Sequence, residues 1–203
     1  MTGLRRRGDR FVVNMVIIQE QLDRLPQHGQ ISIAFEVEKV LDLTIVDRGL
    51  GGFVLSERKL ASPYVKDYDG VAGNRPGDWS KCFDVTNWAL LSAWIDDRRA
   101  GGVVMAFKTE GLDMLERRED LAAIWDIRVS ADLRGRGAGT ALFAAAEAWA
   151  KAKGCKQLKV ETQNDNVAAC QFYMNRGCML GGINRLAYPL LPQEIQLLWY
   201  KNI

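Results

Sequence analysis

One histidine, His28, stands in 203 residues, and the four cysteines form no Cys-x-x-Cys pair. A catalytic zinc needs several such ligands together, so no metal is expected. A Ser-His-Asp hydrolase would have to be built on His28, and the chain has no Gly-x-Ser-x-Gly elbow. Cys82, Cys155, Cys170 and Cys178 read as free, buried thiols of a reducing cytoplasm. No apolar run approaches the ~20 residues that span a bilayer. No secretory signal is read either: Leu4-Arg5-Arg6-Arg7 runs into Gly8-Asp9-Arg10, and Asn14 interrupts Phe11–Ile18. A net charge of +2 gives no field of one sign, so neither nucleic acid nor membrane is an expected partner.

What is present describes an ordinary globular chain. At 48% hydrophobic and 26% charged residues, 203 residues can bury one good core. The expected organisation is a polar, basic, disordered segment over residues 1–14 and a single domain over residues 15–203. Met15 stands as a second candidate start.

Alternation predicts strands at Ile31–Glu38, Leu41–Val46 and Phe53–Leu60. A loop follows over Asp67–Gly77, with Asp69-Gly70, Gly73-Asn74 and Pro76-Gly77 as turn signals. Asn87–Ile95 and Gly102–Phe107 read as a hairpin joined by residues 96–101. Leu112–Asp120 reads as a charged loop and Leu121–Val129 as a buried strand. Ala138–Lys153 reads as a helix with Leu142, Ala145, Ala146, Trp149 and Ala150 on one face. Gln157–Gln163 is the next strand and Val167–Gly177 a second helix stopped by glycine. Gly182–Tyr188 and Glu194–Tyr200 read as a closing strand pair. The plan is α/β: a mixed central sheet with crossover helices on both faces.

The most informative stretch joins the buried strand to the first long helix: Arg134-Gly135-Arg136-Gly137-Ala138-Gly139, then Thr140. A glycine-dense turn opening a helix gathers backbone N–H groups at the helix's positive end, which binds phosphate. Two arginines add charge and forked donors. The Gly-x-x-x-x-Gly-Lys-Ser/Thr loop of triphosphate sites is excluded, since no lysine follows Gly139. The spacing of Gly135, Gly137 and Gly139 is not that of a dinucleotide fingerprint, and the loop lies late in the chain.

Arg134-x-x-Gly137-x-Gly139 resembles the Arg/Gln-x-x-Gly-x-Gly/Ala signature of the GCN5-related N-acetyltransferases. Downstream, the Gln157–Gln163 strand, the Asn164-Asp165-Asn166 turn and the helix carrying Tyr173 resemble the second half of that family's core. Val160–Gln163, Asn166, Ala169–Tyr173, Leu198–Tyr200 and, upstream, Ser62–Tyr68 are similar to the streptothricin acetyltransferase branch.

The resemblance implies acetyl-CoA as co-substrate, with its pyrophosphate on residues 134–140. It implies pantetheine along the backbone of Ile127, Arg128 and Val129, where two strands splay apart, with Asn166 touching the same arm. A helix cap is an equally natural role for Asn166. It also implies Tyr173 as proton donor to the departing thiolate. Glu161 and Asp126 are the acids in the core strands, so either is a candidate base, directly or through water. Both could equally pair with cations, and the amine could enter already deprotonated. Tyr64, Lys66 and Tyr68 belong to the branch motif with no role assigned. The expected partner is a small cationic amine such as streptothricin, with a homodimer as the candidate assembly. The alternatives are a protein lysine acceptor and a catalytically idle acetyl-CoA-binding module.

Overall fold

Nine strands and four helices shape the computed structural model, which describes residues 15–203; segment 1–14, expected to be disordered, lies outside the described residues. In chain order these are β1 (Met15–Glu20), α1 (Leu25–His28), β2 (Phe35–Val46), β3 (Gly52–Lys66), α2 (Trp79–Cys82), β4 (Ala89–Ile95), β5 (Arg98–Ala106) and β6 (Leu121–Val129). They continue with α3 (Ala138–Ala152), β7 (Gln157–Gln163), α4 (Val167–Asn175), β8 (Met179–Asn184) and β9 (Gln196–Asn202). Seven strands form one sheet in the order β1-β4-β5-β6-β7-β9-β8; β2 and β3 form a separate two-stranded sheet. Only β6 and β7 pair parallel, and α3 connects them.

Alternation along the central strands divides the core. Val103 and Met105 of β5 and Ala122 and Ile124 of β6 share a cluster with Leu142, Phe143, Ala146 and Trp149 of α3 and with Cys170 and Tyr173 of α4. Val104, Ala106 and Ala123 point the other way, towards Leu25, Trp79 and Trp88. The two crossover helices therefore share one face, contrary to the expectation of one on each side. Two successive right-handed crossovers in the same direction require this. The short helices α1 and α2 cover the other face. Fully burying a side chain the size of Leu142 or Phe143 stabilises the fold by about 1.5–3 kcal/mol.

Other differences have local causes. The β4–β5 connection is only Asp96-Asp97, both at positive φ, a two-residue turn that lets pairing begin at Ile95–Arg98. Strand β1 was not read from the sequence: Met-Val-Ile-Ile is a short apolar run, and its partner β4 lies some seventy residues away. The expected strand at Ile31 starts at Phe35 and runs on without a break to Val46. The closing pair is Met179–Asn184 with Gln196–Asn202, because Gly177, at φ 81°, turns the chain straight from α4 into β8. Cys82 is exposed, unlike the other three cysteines.

Candidate active site

Strand β6 determines where the cleft opens. Val104 faces Asp126 and Met105 faces Ile124, which leaves Trp125 as a bulge. A bulge bends and twists its strand. Parallel pairing with β7 covers only Leu121–Ile124 against Gln157–Val160. Beyond it the strands part, and the edge of β6 from Trp125 to Val129 that faces β7 has no strand partner. The gap is a cleft of about 850 Å³ running from the Arg134–Thr140 turn, between β6 and β7, to Tyr68 and Asp69.

The turn at the cleft mouth fits an anion. Gly135 and Gly137 take φ of 74° and 89°, and a Cβ at either would meet nothing within 4 Å. Their conformation, not crowding, demands glycine. Gly139 differs: a Cβ there would approach Phe172 of α4 at 3.4 Å. The first intrahelical bond of α3 is Ala141 N–H to Gly137 C=O, 3.0 Å, so the N–H groups at the start of the helix have no partner within it. Arg134 and Arg136 are exposed and form no ion pair among the described residues.

Asp126 is engaged elsewhere. It lines the cleft but is buried, taking a 2.6 Å bond from His28 Nε2 and 2.9 and 2.7 Å bonds from Arg128 Nε and Nη2. Arg128 also donates to Asp69, 2.9 Å, and to the Ile31 carbonyl, 3.0 Å. Burial alone would raise the Asp126 pKa, but the His28 and Arg128 bonds outweigh it and bring the group down to about 2. A carboxylate held that low is a poor proton acceptor. The Arg128 side chain thus belongs to the buried network; only its backbone lies on the open edge. His28, the last residue of α1, is wholly buried. Gly102 makes room for it, since a Cβ there would sit 2.6 Å from Nδ1.

Glu161, half-buried on β7, presents its carboxylate to the cleft. Its Oε1 accepts from Tyr188 Oη, 2.5 Å, and Gln163 Nε2, 3.1 Å; Oε2 accepts from Gln196 Nε2, 2.7 Å. It forms no ion pair among the described residues. Gln163 ends the Val160–Gln163 motif, but Tyr188 and Gln196 carry no sequence signal. Tyr188 lies in the irregular connection between β8 and β9 and Gln196 at the start of β9, and nothing local marks them as neighbours of Glu161.

Tyr173 lines the cleft from α4, buried against Phe143 and Phe172. Burial, followed by the nearby Asp126 charge, pushes its phenol well above the ordinary range, so the hydroxyl holds its proton. Asn166 caps α4 by accepting from Ala169 N–H, 3.1 Å, and also lines the cleft. The upstream motif acts as a clamp. Tyr64 and Lys66 both bond the buried Asp165 carboxylate, Lys66 also pairs with Glu194 at 2.7 Å, and Tyr68 donates to Gln163 at 2.5 Å. The β2–β3 hairpin is thereby fixed to the turn before α4 and walls one end of the cleft. No group of three or more metal-binding side chains occurs among the described residues.

A splayed parallel pair with a glycine turn and helix start at its mouth defines a coenzyme A-dependent acyltransferase architecture. The acetyltransferase (GNAT) family model matches residues 61–178, and the chain belongs to that family. It is 32% identical to the Escherichia coli streptothricin acetyltransferase over 82% of this chain and 84% of that one. It is 28% identical to streptothricin acetyltransferase A of Bacillus subtilis strain 168, over 74% and 80%. A Bacillus anthracis protein assigned as a streptothricin acetyltransferase, solved with acetyl coenzyme A, superposes with a TM-score of 0.71 at 25% identity, over 94% of this chain and all of that one. A nourseothricin acetyltransferase shares the fold with a TM-score of 0.71 at 22% identity, over 93% and 98%. The protein is an acetyl-CoA-dependent acetyltransferase. The open β6 edge, the two glycines at positive φ and the free start of α3 fit that co-substrate.

Proposed function

We propose that this enzyme acetylates a primary amine of a small polycationic acceptor of the streptothricin type, by direct attack in a ternary complex. The observation that carries the reading is the far end of the cleft, which Glu161 lines with neutral donors on its carboxylate and, among the described residues, no cation paired to it. Asp69, paired with Arg128, also lines the cleft, and Tyr68 and Trp125 add aromatic surface. Such a wall attracts ammonium groups by charge and by ring faces.

When bound, acetyl-CoA supplies a thioester whose carbonyl carbon can accept an amine. Residues 134–140 hold its pyrophosphate, and the open backbone of Ile127–Val129 pairs with its pantetheine arm, an addition of the ligand to a strand edge. Asn166 fixes the start of α4 beside that arm. Glu161 takes the proton that the acceptor nitrogen loses as its bond to carbon forms. Tyr173 Oη gives its proton to the sulfur as the carbon–sulfur bond breaks. Asp126 takes no part in proton transfer; it supports the wall through Arg128 and His28. The requirement for acetyl-CoA and the reduced cysteines suit a cytoplasmic enzyme.

The test is release of free coenzyme A thiol from acetyl-CoA with streptothricin, free lysine or a lysine peptide as acceptor. Streptothricin is expected to give far the highest kcat/KM, with a KM that rises with ionic strength as screening weakens the charge attraction. Thiol release no faster with streptothricin than without it rejects the acceptor, and a lysine peptide outrunning it favours the protein-lysine reading.

A further inference from the structure

Tyr188, in the connection between β8 and β9 (residues 185–195), bonds Glu161 without itself lining the cleft. The hydrogen bonds around this pair have one consistent arrangement. The end of the Gln163 amide that faces Glu161 Oε1, an acceptor, must be its N–H end, so its oxygen accepts from Tyr68 Oη. Both N–H groups of that amide are then spent, one on Glu161 Oε1 and one on Tyr188 Oη at 2.7 Å. Tyr188, having accepted from Gln163, gives its own proton to Glu161 Oε1. Gln196 takes one site on Oε2. A carboxylate offers about four acceptor sites. Three are filled by neutral donors, and the fourth, on Oε2, is left for the cleft side.

We propose that Tyr188 is a positioning residue that, with Gln163 and Gln196, holds Glu161 where it binds the reacting ammonium of the acceptor before taking its proton. This rests on the amine-acetylating reading above and adds how the acceptor is selected. Neutral donors orient the carboxylate without pairing it to a cation, so that cation is left for the ligand to bring. A lysine in the place of Tyr188 or Gln196 would supply it internally and close the site. The irregular 185–195 connection, through Tyr188, therefore sets acceptor preference while the coenzyme end is unchanged.

The experiment is a double-mutant cycle on Tyr188→Phe and Glu161→Gln, with acetyl-CoA and streptothricin varied separately. Losing a hydrogen bond to a charged group predicts an acceptor kcat/KM about tenfold lower in Tyr188→Phe, carried mainly by KM, with the acetyl-CoA KM unchanged. Added to Glu161→Gln, the tyrosine change should cost little more, since the group it positions is already altered. A parallel rise in the acetyl-CoA KM, an unchanged acceptor KM or fully additive losses each overturn the proposal. Gln196→Met, which removes only the Oε2 donor, provides the same readout if Tyr188→Phe fails to fold. If wild-type enzyme ignores streptothricin, the acceptor reading fails, and the same cycle run with a lysine peptide still decides the role of Tyr188.

Discussion

Replacing Asp126 by Asn separates a structural carboxylate from a catalytic one. Asparagine keeps the shape and removes the charge, and so mimics the protonated acid. In the folded protein His28 and Arg128 bring this carboxyl from 3.8 down to about 2, which corresponds to about 2 kcal/mol in favour of the ionised form. Removing the charge also leaves the buried Arg128 guanidinium with Asp69 as its remaining carboxylate, and breaking buried pairs costs up to about 3–5 kcal/mol. Asp126→Asn should therefore lose about 2–4 kcal/mol at neutral pH, read as an earlier urea midpoint with an unchanged slope. A domain of this size shifts its Tm by roughly 2–4 °C per kcal/mol, so a fall of about 4–16 °C is expected. Because the folded pKa lies below the unfolded one, this stabilisation is fully present above about pH 4 and is lost as pH falls towards 2. The wild type should show that acid loss, and the variant should lack its Asp126 component. Turnover by the variant, measured well below its Tm, should stay within about tenfold of wild type, since a group titrating near 2 is too weak a base to limit the rate at neutral pH. A variant with wild-type stability, a kcat lower by 10²-fold or more and no acid limb in its pH profile would refute this and make Asp126 the base.

Gly137→Asp should weaken acetyl-CoA binding on the order of 10²-fold by calorimetry, through the left-handed backbone and a carboxylate facing the pyrophosphate, while Gly137→Ala incurs only the backbone strain of about 1–2 kcal/mol. Circular dichroism should stay near wild type in both, and unchanged affinity in the Asp variant would remove the phosphate role from this turn. Tyr173→Phe should lower kcat by about 10²–10⁴-fold with acetyl-CoA affinity nearly intact, because its proton is needed only as the thiolate departs. A kcat within about twofold would return Tyr173 to packing against Phe143 and Phe172, provided chemistry and not product release limits turnover.

The strand–glycine turn–helix unit was legible in the sequence because each of its signals is local. Leu121–Val129 is apolar enough to be a buried strand, Gly135 and Gly137 sit where φ must be positive, and Ala138–Ala152 carries its apolar face at helical spacing. Asn166 was legible for the same reason: its side chain caps a helix three residues away. Tertiary structure decided the chemistry of the acids. Asp126 and Glu161 look alike along the chain, each an acid within an apolar strand. The fold gives Asp126 two hydrogen-bond donors, His28 from ninety-eight residues upstream and Arg128 from two residues on. Glu161 instead meets Tyr188 and Gln196, brought beside it by the connection and strand that close the sheet. A carboxylate's function depends on the charges and dipoles within a few ångströms. His28, Tyr188 and Gln196 are brought there by packing and strand pairing across the fold, which no local pattern in the chain encodes.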